Sequence, residues 1–418
     1  MTNLQIIETD ILIIGGGSAG IAAAVASSSL NKKVTLVERL EYLGGKATAA
    51  EVGTICGLYK YKKTDVSEYI VNGFPKQFAE EIASLSSSVP LHNVYGLHYL
   101  PYNITAYKNL CLQLMQKNDV NLLFNSKVIE VHVTNQLIKS VVIQSKNETI
   151  QINCKSIIDC SGNSCISQLA NLPLIKSETY QAAAQVFTLK GIGQTIESNI
   201  NLVVIKELKK AILNHQLESS FKNTSIVQGS YHNDCVSFKI GIPITVTNSK
   251  DNLEKIREKA IEMIQQFVAH LVAHVDLFKN AAIEHIASEV GVRVGVRPVG
   301  KYILKEEDVL SCKKFDTAIA NCSWPIEEWQ EEKGVAMRYF NHDDFYQIPA
   351  DCLISSQVLN LFFAGRNISA TDEAIASARV IGICLQTGYA AGMLASDNII
   401  NTPSLNTIKA IQAKQIFV

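Results

Sequence analysis

The stretch that most constrains the fold of this chain is DILIIGGGSAGIAAAVAS, residues Asp10–Ser27. Its first five residues are almost entirely apolar, which is typical of a parallel strand buried on both faces, and its second half has the small side chains of a closely packed helix. Between these halves, Gly15, Gly17 and Gly20 form the pattern G-x-G-x-x-G. Gly15 permits a tight bend, Gly17 lets the backbone approach a pyrophosphate, and Gly20 permits close contact between helix and strand. The N-terminus of the helix then faces the phosphates.

A second predicted strand, Lys33–Glu38, supports this interpretation because it ends in an acid. Glu38 follows Gly20 by 18 positions, about where a dinucleotide-binding fold places a carboxylate that accepts hydrogen bonds from the adenosine ribose. A surface salt bridge is the alternative role of Glu38. Strand, turn, helix and acidic strand together predict a Rossmann-like α/β domain.

The size and charge of the chain limit its organisation and its partners. Its 418 residues exceed the roughly 250–300 at which a single core stops growing, so we expect two domains. Lys and Arg number 38 against 39 Asp and Glu, for a net charge of -1, which leaves no basic surplus for binding a nucleic acid backbone. We therefore expect a small-molecule substrate and no nucleic acid; homo-oligomerisation stays open.

The cysteines and histidines do not form a convincing metal site. The chain has ten cysteines but no C-x-x-C pair, which favours buried thiols in a reducing compartment. Cys160 and Cys165 are weak candidates for a cluster, and His270 and His274 lack the intervening glutamate of H-E-x-x-H. We predict no metal.

The N-terminus lacks the cationic start and cleavage site of a signal peptide, and the apolar run after Asp10 is too short and too rich in Gly and Ser to span a bilayer. The expectation is a cytoplasmic protein without a membrane span.

Three further segments carry a resemblance to a known family. They are Gly44-Gly45-Lys46-Ala47-Thr48 after Glu38, the strand and turn Ser156–Gly162 (SIIDCSG), and Leu359–Gly392 (LNLFFAGRNISATDEAIASARVIGICLQTGYAAG). Together with the glycine-rich turn they resemble the FAD-dependent oxidoreductases related to the glutathione reductase and succinate dehydrogenase/fumarate reductase flavoproteins. The resemblance is strong over residues 5–58 and 345–395 and weaker over 120–165 and 290–310.

The resemblance implies FAD as the cofactor, bound by both ends of the chain. The glycine segment after Glu38 and the Ser161-Gly162 turn would lie near the pyrophosphate, Gly365-Arg366 near the pyrophosphate and ribityl chain, and the helix from about Val380 would direct its first amides at the flavin pyrimidine. Val128 is the looser match to a backbone contact with adenine. The full set of candidate cofactor-binding residues is Gly15, Gly17, Ser18, Ala19, Gly20, Glu38, Arg39, Gly44, Gly45, Lys46, Thr48, Val128, Ser161, Gly162, Gly365, Arg366, Gly382 and Ile383.

The candidate catalytic residues are Arg297 and Asp372. Arg297 lies in VGVRVGVRPVGKYIL, which resembles the arginine-rich strand of the family; Arg293 lies four residues earlier and would share its face of an extended strand. Relatives commonly have a histidine after Ser-Ala-Thr, where this chain has Asp372. Arg297 would hold an anionic substrate group, and Asp372 would transfer a proton or orient the flavin edge. An ion pair for Arg297 and a helix cap for Asp372 are the alternatives.

The middle of the chain predicts a second unit of mixed α+β structure. We expect an irregular segment over residues 59–102, a helix over 105–117, strands at 120–124, 127–133, 137–144 and 148–153, and a long helix from about Asn252 to Phe278 with one apolar stripe. The predicted domains are an FAD-binding domain of the glutathione-reductase type (1–58, 103–172 and 345–418) and a substrate domain (59–102 and 173–344).

These features predict an FAD-dependent oxidoreductase that exchanges a hydride between flavin N5 and a small organic substrate. No second G-x-G-x-x-G follows a strand, so we expect no built-in NAD(P)H domain. The alternatives are a flavin-dependent monooxygenase, a non-catalytic flavin-binding redox sensor and, disfavoured by the charge balance, a tRNA-modifying flavoprotein.

Overall fold

The computed structural model describes residues 5–146, 148–247, 249–331, 334–397 and 404–416. These residues form twenty strands and eleven α-helices. The strands are β1 Gln5–Ile14, β2 Val34–Val37, β3 Thr54–Cys56, β4 Leu91–His92, β5 His98–Pro101, β6 Asn121–Leu123, β7 Ser126–Thr134, β8 Leu137–Ser145, β9 Glu148–Asp159, β10 Leu174–Ile175, β11 Ala184–Lys190, β12 Thr224–Ile226, β13 Val236–Gly241, β14 Ala282–Ile286, β15 Arg297–Pro298, β16 Ala318–Cys322, β17 Ile326–Gln330, β18 Gly334–Arg338, β19 Tyr346–Pro349 and β20 Leu361–Phe363. The α-helices are α1 Ser18–Ser28, α2 Lys46–Ala49, α3 Gly73–Ser86, α4 Ile104–Lys117, α5 Cys165–Leu169, α6 Glu197–Leu213, α7 Lys250–His274, α8 Glu306–Leu310, α9 Asp372–Ala378, α10 Ile381–Ser396 and α11 Leu405–Ile411.

The central sheet has seven strands, in the order β6-β2-β1-β9-β8-β7, with β20 also paired to β9. The strands β6, β2, β1, β9 and β20 run parallel to one another. Near the edge where they end, these strands are buried and mostly apolar, as in residues 11–14, 34–37, 157–158 and 361–363. This is expected for strands covered on both faces. Since parallel strands end at the same edge, the turns after β1, β9 and β20 lie together, and ligands bind at such an edge in open α/β sheets.

The strand β9 joins two features that the sequence suggested were separate. The predictions placed one strand at 148–153 and another from Ser156, but residues Glu148–Asp159 form one strand. Its first half pairs antiparallel with β8, and its second half pairs parallel with β20. No Gly or Pro interrupts it, so nothing in the backbone breaks the extended conformation.

A second sheet of four antiparallel strands has the order β12-β13-β11-β14. One face of this sheet packs on α7, with the rings of Phe238 and Phe267 centred 5.2 Å apart. The predicted apolar stripe on this helix is confirmed, since Ile256, Ala260, Ile264, Phe267 and Leu271 are all fully buried. Side chains alternate across a strand, so Lys239, next to Phe238, lies on the opposite face of the sheet.

The segment 59–102 is not irregular throughout, as the sequence analysis expected. It contains the fourteen-residue helix α3 and the strands β4 and β5. Phe74, Phe78 and Ile82 of α3 are buried at helical spacing, a signal that the abundance of polar and aromatic residues obscured. The ring of Phe78 lies 5.1 Å from that of Tyr107 on α4, and that of Phe74 lies 5.8 Å from that of Tyr389 on α10.

Within the described ranges, none of the helices combines the length and the apolar composition that crossing a membrane requires.

Candidate functional site

The glycine-rich turn between β1 and α1 has the backbone geometry that its sequence predicts. Gly15 has a φ of +100°, and a Cβ atom there would lie 2.6 Å from the carbonyl oxygen of Cys160. At Gly20 a Cβ atom would overlap the carbonyl oxygen of Gly15. The protein itself therefore requires glycine at both positions, one for its conformation and one for close packing.

At Gly17, by contrast, no contact with the described residues requires glycine. It has a φ of -75°, which every residue adopts, and the nearest atom to an added Cβ is the Cα of Gly45 at 3.7 Å. Gly17 precedes the first residue of α1 and forms a parallel bridge with Gly44. Two glycine segments thus present bare backbone at the N-terminus of a helix, where anions bind.

Glu38 lies beside this turn and is 5% exposed. Its carboxylate accepts hydrogen bonds from the amides of Gly16 at 2.7 Å and Leu40 at 2.9 Å. Burial raises the pKa of this carboxyl, although these amides oppose the shift. The carboxylate forms no ion pair among the described residues, so its position fits the ribose role better than the surface salt bridge. The amide of Ser126 donates to the Glu38 carbonyl at 3.0 Å, which brings the start of β7, with Val128, to the same place.

Three cations lie next to the glycine segments: Lys46 follows Gly45, Arg39 follows Glu38, and Arg366 lies against Gly162. Lys46 donates to Glu289 at 2.8 Å and to the carbonyl of Val290 at 2.8 Å, and the exposed Arg39 also pairs with Glu289. Arg366 donates to the Val292 carbonyl at 2.6 Å and pairs with no carboxylate in the described part of the chain. Burial lowers the pKa of Lys46 to about 8 and that of Arg366 to about 10. The positive charges of Lys46 and Arg366 therefore lie below the surface, and among the described residues a single carboxylate, that of Glu289, pairs with two of the three cations, Lys46 and Arg39.

The turn after β9 is organised by Asp159, which the sequence analysis did not single out. This fully buried carboxylate accepts hydrogen bonds from the Ser161 amide at 3.0 Å, the Ser161 hydroxyl at 2.6 Å and the Ile166 amide at 3.0 Å. Burial raises its pKa. The turn also carries Gly162, where a Cβ atom would lie 2.7 Å from a guanidinium nitrogen of Arg366. Ser161 thus serves the turn, and Gly162 makes room for Arg366.

The helix α10 approaches this edge of the sheet with its N-terminus. A Cβ atom on Gly365 would lie 2.9 Å from that of Ala19, and one on Gly382 would lie 2.7 Å from the carbonyl oxygen of Cys56. The amides of Ile381 and Gly382 belong to the first turn and have no partner within the helix, whereas the amide of Ile383 donates to the Val380 carbonyl at 3.0 Å. The structure therefore assembles α1, the Gly44-Gly45 segment and α10 around one edge.

The hydroxyls of Thr48 and Ser18, two of the candidate cofactor-binding residues, bind to groups of the protein itself. The Thr48 hydroxyl donates to the Leu43 carbonyl at 2.8 Å, where it caps the glycine segment. The Ser18 hydroxyl lies 2.8 Å from that of Tyr107. Both hydroxyls stabilise the walls of the site.

Arg297 and Asp372 form an ion pair. Arg297 is 1% exposed, and its guanidinium also donates to the carbonyls of Ala370 and Gly295. Asp372 accepts from Ser177 as well and is the first residue of α9. Because the donors of Arg297 are engaged inside the protein, the arrangement favours the structural alternative over a substrate-holding arginine and a proton-transferring aspartate. His270, which the sequence offered as a weak metal candidate, also has a partner within the protein: its Nε2 lies 3.1 Å from a carboxylate oxygen of Glu207.

A cationic cluster that the sequence analysis missed borders the N-terminus of α10. We define it as Lys239, Arg293 and Arg379 together with Glu327 and Trp329. Trp329 has the Arg293 guanidinium carbon 3.7 Å and the Lys239 ammonium 4.4 Å from its ring centre. Arg379 directly precedes the cap of α10. A signal existed for Arg379, a lone cation in the small-residue run IASARVIGIC, but the positions of Lys239 and Glu327 depend on tertiary folding.

Comparisons with known proteins agree with this fold. Residues 10–414 match the family model described as FAD dependent oxidoreductase. Among solved structures, the chain is similar to a geranylgeranyl bacteriochlorophyll reductase-like protein from Thermoplasma acidophilum, with 11% identity and a TM-score of 0.48 over 98% of this chain and 83% of that one. It is also similar to the myxobacterial chondrochloren halogenase CndH, with 11% identity and a TM-score of 0.47 over 97% of this chain and 78% of that one. The anhydrotetracycline hydroxylase OxyS from Streptomyces rimosus gives 9% identity and a TM-score of 0.50 over 97% of this chain and 65% of that one. No curated protein sequence matches the chain significantly.

Proposed function

The chain belongs to the FAD-dependent oxidoreductase family, and from this premise we propose that it binds FAD at the edge formed by α1, the Gly44-Gly45 segment and α10, and oxidises or reduces a small organic substrate beside the flavin. The pattern of parallel strands followed by the antiparallel strands β7 and β8 supports a glutathione-reductase type of cofactor domain.

The observation that carries this proposal is Gly17. No conformational or steric demand of the protein selects glycine there, yet it stands at a helix N-terminus next to a second glycine segment. A ligand phosphate in contact with the backbone supplies the missing reason. Arg366 and Lys46 supply positive charge nearby. Arg366 pairs with no carboxylate among the described residues, and Lys46 shares Glu289 with Arg39.

The other candidate residues fit the remaining parts of FAD. Glu38, beside Gly16, suits the adenosine ribose, and the start of β7 with Val128 suits the adenine. The free amides of Ile381 and Gly382, at the positive end of the α10 dipole, favour negative charge on the pyrimidine edge of a flavin. When bound, FAD supplies the two-electron redox chemistry, and the protein supplies position and electrostatics.

The reaction that we propose is oxygenation, with direct hydride exchange as the second candidate. The anhydrotetracycline hydroxylase shares the fold over 97% of this chain at a TM-score of 0.50, which supports oxygenation. Hydride exchange with an organic substrate is supported by the cofactor chemistry alone. In either reaction, the tight packing of Gly57 against Gly382 would hold the first amides of α10 in place for the flavin pyrimidine.

The experiment begins with the purified protein and its visible absorbance, with flavin released by heat and identified by chromatography. Stopped-flow reduction by NADPH and NADH, with and without a metabolite panel, is followed by admission of oxygen. Substrate-stimulated reduction with incorporation of labelled oxygen into product is the expected result. Flavin reduction by an organic substrate alone would favour hydride exchange, and a flavin that no donor reduces would favour a redox sensor. A colourless protein that does not take up FAD would refute the proposal.

A further inference from the structure

The cationic cluster lies where four separate parts of the chain meet. Lys239 comes from the face of the second sheet opposite α7, Arg293 from the segment after β14, Trp329 from β17, and Arg379 from the junction of α9 and α10. Each of the three cations keeps some accessible surface although burial lowers the pKa of all three. Deep side chains with partial access to solvent are expected for the lining of a cleft. The space that Lys239, Arg293 and Arg379 line is called the cleft.

The charges in this cleft are not balanced by the protein. Three cations face one carboxylate, Glu327, and within the described ranges none of the four forms an ion pair at contact distance. Glu327 instead accepts from the indole nitrogens of Trp329 at 2.6 Å and Trp324 at 3.0 Å. Burial alone would raise the pKa of Glu327, but the charges of Arg379, Lys239 and Arg293 together with the Trp329 hydrogen bond hold that pKa below its usual value. Its single negative charge leaves an excess of positive charge.

The hydrogen bonds of the cations leave donors free for a ligand. Arg293 uses one nitrogen on the Ala182 carbonyl at 2.6 Å, and Arg379 uses one on the Glu327 carbonyl at 3.1 Å. The Nε atom of Arg379 is buried and has no hydrogen-bond partner in the part of the chain that the structure describes. A buried guanidinium donor without an acceptor is costly unless a ligand supplies one.

The anion that this cleft fits is separate from the FAD phosphates. Those phosphates are expected at the N-terminus of α1, beside Arg366 and Gly17. Arg379 instead precedes α10, whose first turn packs on Cys56 and Gly57, and Lys239 comes from the second sheet. With FAD bound as proposed, a molecule held by the cluster would lie between that sheet and the flavin edge, where a substrate has to be.

We propose that the cluster of Lys239, Arg293 and Arg379 is the substrate-binding site for an organic anion bearing a carboxylate, oriented by Trp329 and Glu327. Two guanidinium groups match the planar geometry of a carboxylate, the lysine adds a point charge, and the indole ring fixes the cations. The inference rests on the proposed function and adds the substrate class.

The test is a titration of the flavoprotein, at constant ionic strength, with acetate, succinate and benzoate, and with acetamide, succinamide and benzamide as neutral counterparts. Flavin absorbance and tryptophan fluorescence are both recorded; the chain has two tryptophans, and both contact Glu327. At least one carboxylate is expected to give saturable changes that its amide does not. Lys239→Met should weaken binding by about tenfold or more. Among the described residues the Lys239 ammonium makes the ring contact and no hydrogen bond, so its removal leaves the hydrogen bonds of the cleft intact.

The control variant is Lys255→Met, which removes the same charge from the exposed face of α7 and should leave carboxylate binding unchanged. A loss of binding in both variants, or equal responses to carboxylates and amides, would overturn the inference while FAD binding stands. If the protein takes up no flavin, the proposed function fails, and the fluorescence titration of the same protein still decides whether the cleft binds anions. A Lys239→Met variant whose flavin midpoint potential shifts while no carboxylate binds to either protein would also overturn it, since the cations would then serve the flavin itself.

Discussion

At the scale of single residues, Gly17 separates what the fold needs from what a ligand needs. Gly17→Ala should preserve the fold, because the new Cβ lies 3.7 Å from its nearest neighbour, but should weaken FAD binding by about tenfold or more, since the methyl group occupies the place of a phosphate. FAD affinity is measured by titration of the apoprotein, and the fold by circular dichroism. Gly193→Ala is the control, where the atom nearest to the new Cβ belongs to the flexible Leu277 side chain, at 3.1 Å, and the Leu277 carbonyl oxygen lies at an ordinary contact distance of 3.6 Å. Equal FAD affinity in Gly17→Ala and the wild type would contradict the assignment.

Lys239 gives a second prediction at this scale, which concerns stability. Burial lowers its pKa from 10.5 to about 8, with Arg293, Arg379, Glu327 and Cys56 as the charged and titratable neighbours. Below pH 8 the folded protein therefore holds a disfavoured charge, and Lys239→Met should be more stable than the wild type at pH 7 by about 1–3 kcal/mol.

The pH dependence of this stability difference follows from proton binding. Between pH 8 and 10.5 the unfolded chain still holds the proton that folded Lys239 has lost, so the wild type gains stability relative to the variant as the pH rises, and the difference disappears above that window. Urea unfolding of both proteins at pH 7, 9 and 10.5 measures it. A variant less stable than the wild type at pH 7 would show that the lysine stabilises the fold.

Single residues also mark the limit of the sequence analysis. Gly15, Gly20 and Glu38 stood out because local backbone rules fix their roles, and the structure has the expected turn. Arg297 and Asp372 were selected by their position in a motif, and in the structure they form an ion pair with each other. Lys239 and Glu327 carried no sequence signal, because their neighbours come from distant parts of the chain.

At the scale of elements, the contact between α1 and α10 holds the two ends of the chain together. Gly388 and Gly392 of α10 press against the backbone of Ala19 and Ala23, and a Cβ on Gly388 would overlap the Ala19 carbonyl oxygen. Alanine in place of a helical glycine ordinarily stabilises by about 1 kcal/mol. Gly388→Ala should instead destabilise by about 1–3 kcal/mol, because backbone cannot move aside. Chemical denaturation measures the change, and a gain in stability would mean that the helices are less tightly packed than described.

Elements were predicted well where a periodic pattern was uninterrupted. The helix 105–117 and the strands 127–133 and 137–144 are confirmed as α4, β7 and β8 within one or two residues. The helix α3 was missed because its apolar face is narrow and its surroundings are rich in aromatic and polar residues. The strand near Arg297 was expected to be long, but in the described segment 290–309 the strand comprises Arg297–Pro298, with isolated bridges at Gly291, Gly300 and Leu304. Pro298 cannot donate to a continuing ladder.

At the scale of the whole molecule, the proposed cofactor unites segments that are distant in sequence. Residues 15–20, 38–48, 161–162 and 365–383 would all contact FAD, so the cofactor binds the folded chain and not the unfolded one. Ligand present at one hundred times its dissociation constant stabilises the folded state by about 2.7 kcal/mol. The thermal midpoint of the apoprotein should therefore rise with FAD concentration.

The fraction of this effect that depends on the adenosine half can be isolated with FMN. FMN lacks the adenylate that would reach Glu38 and Val128, so at equal concentration it should raise the midpoint much less than FAD. Gly17→Ala should reduce the FAD effect without lowering the midpoint of the apoprotein itself. Differential scanning fluorimetry of wild type, Gly17→Ala and Gly193→Ala measures the thermal midpoint of each protein in buffer, with FAD and with FMN. Equal shifts with FMN and FAD would mean that the site recognises the flavin alone, and that the Rossmann-like half of the fold does not hold an adenine.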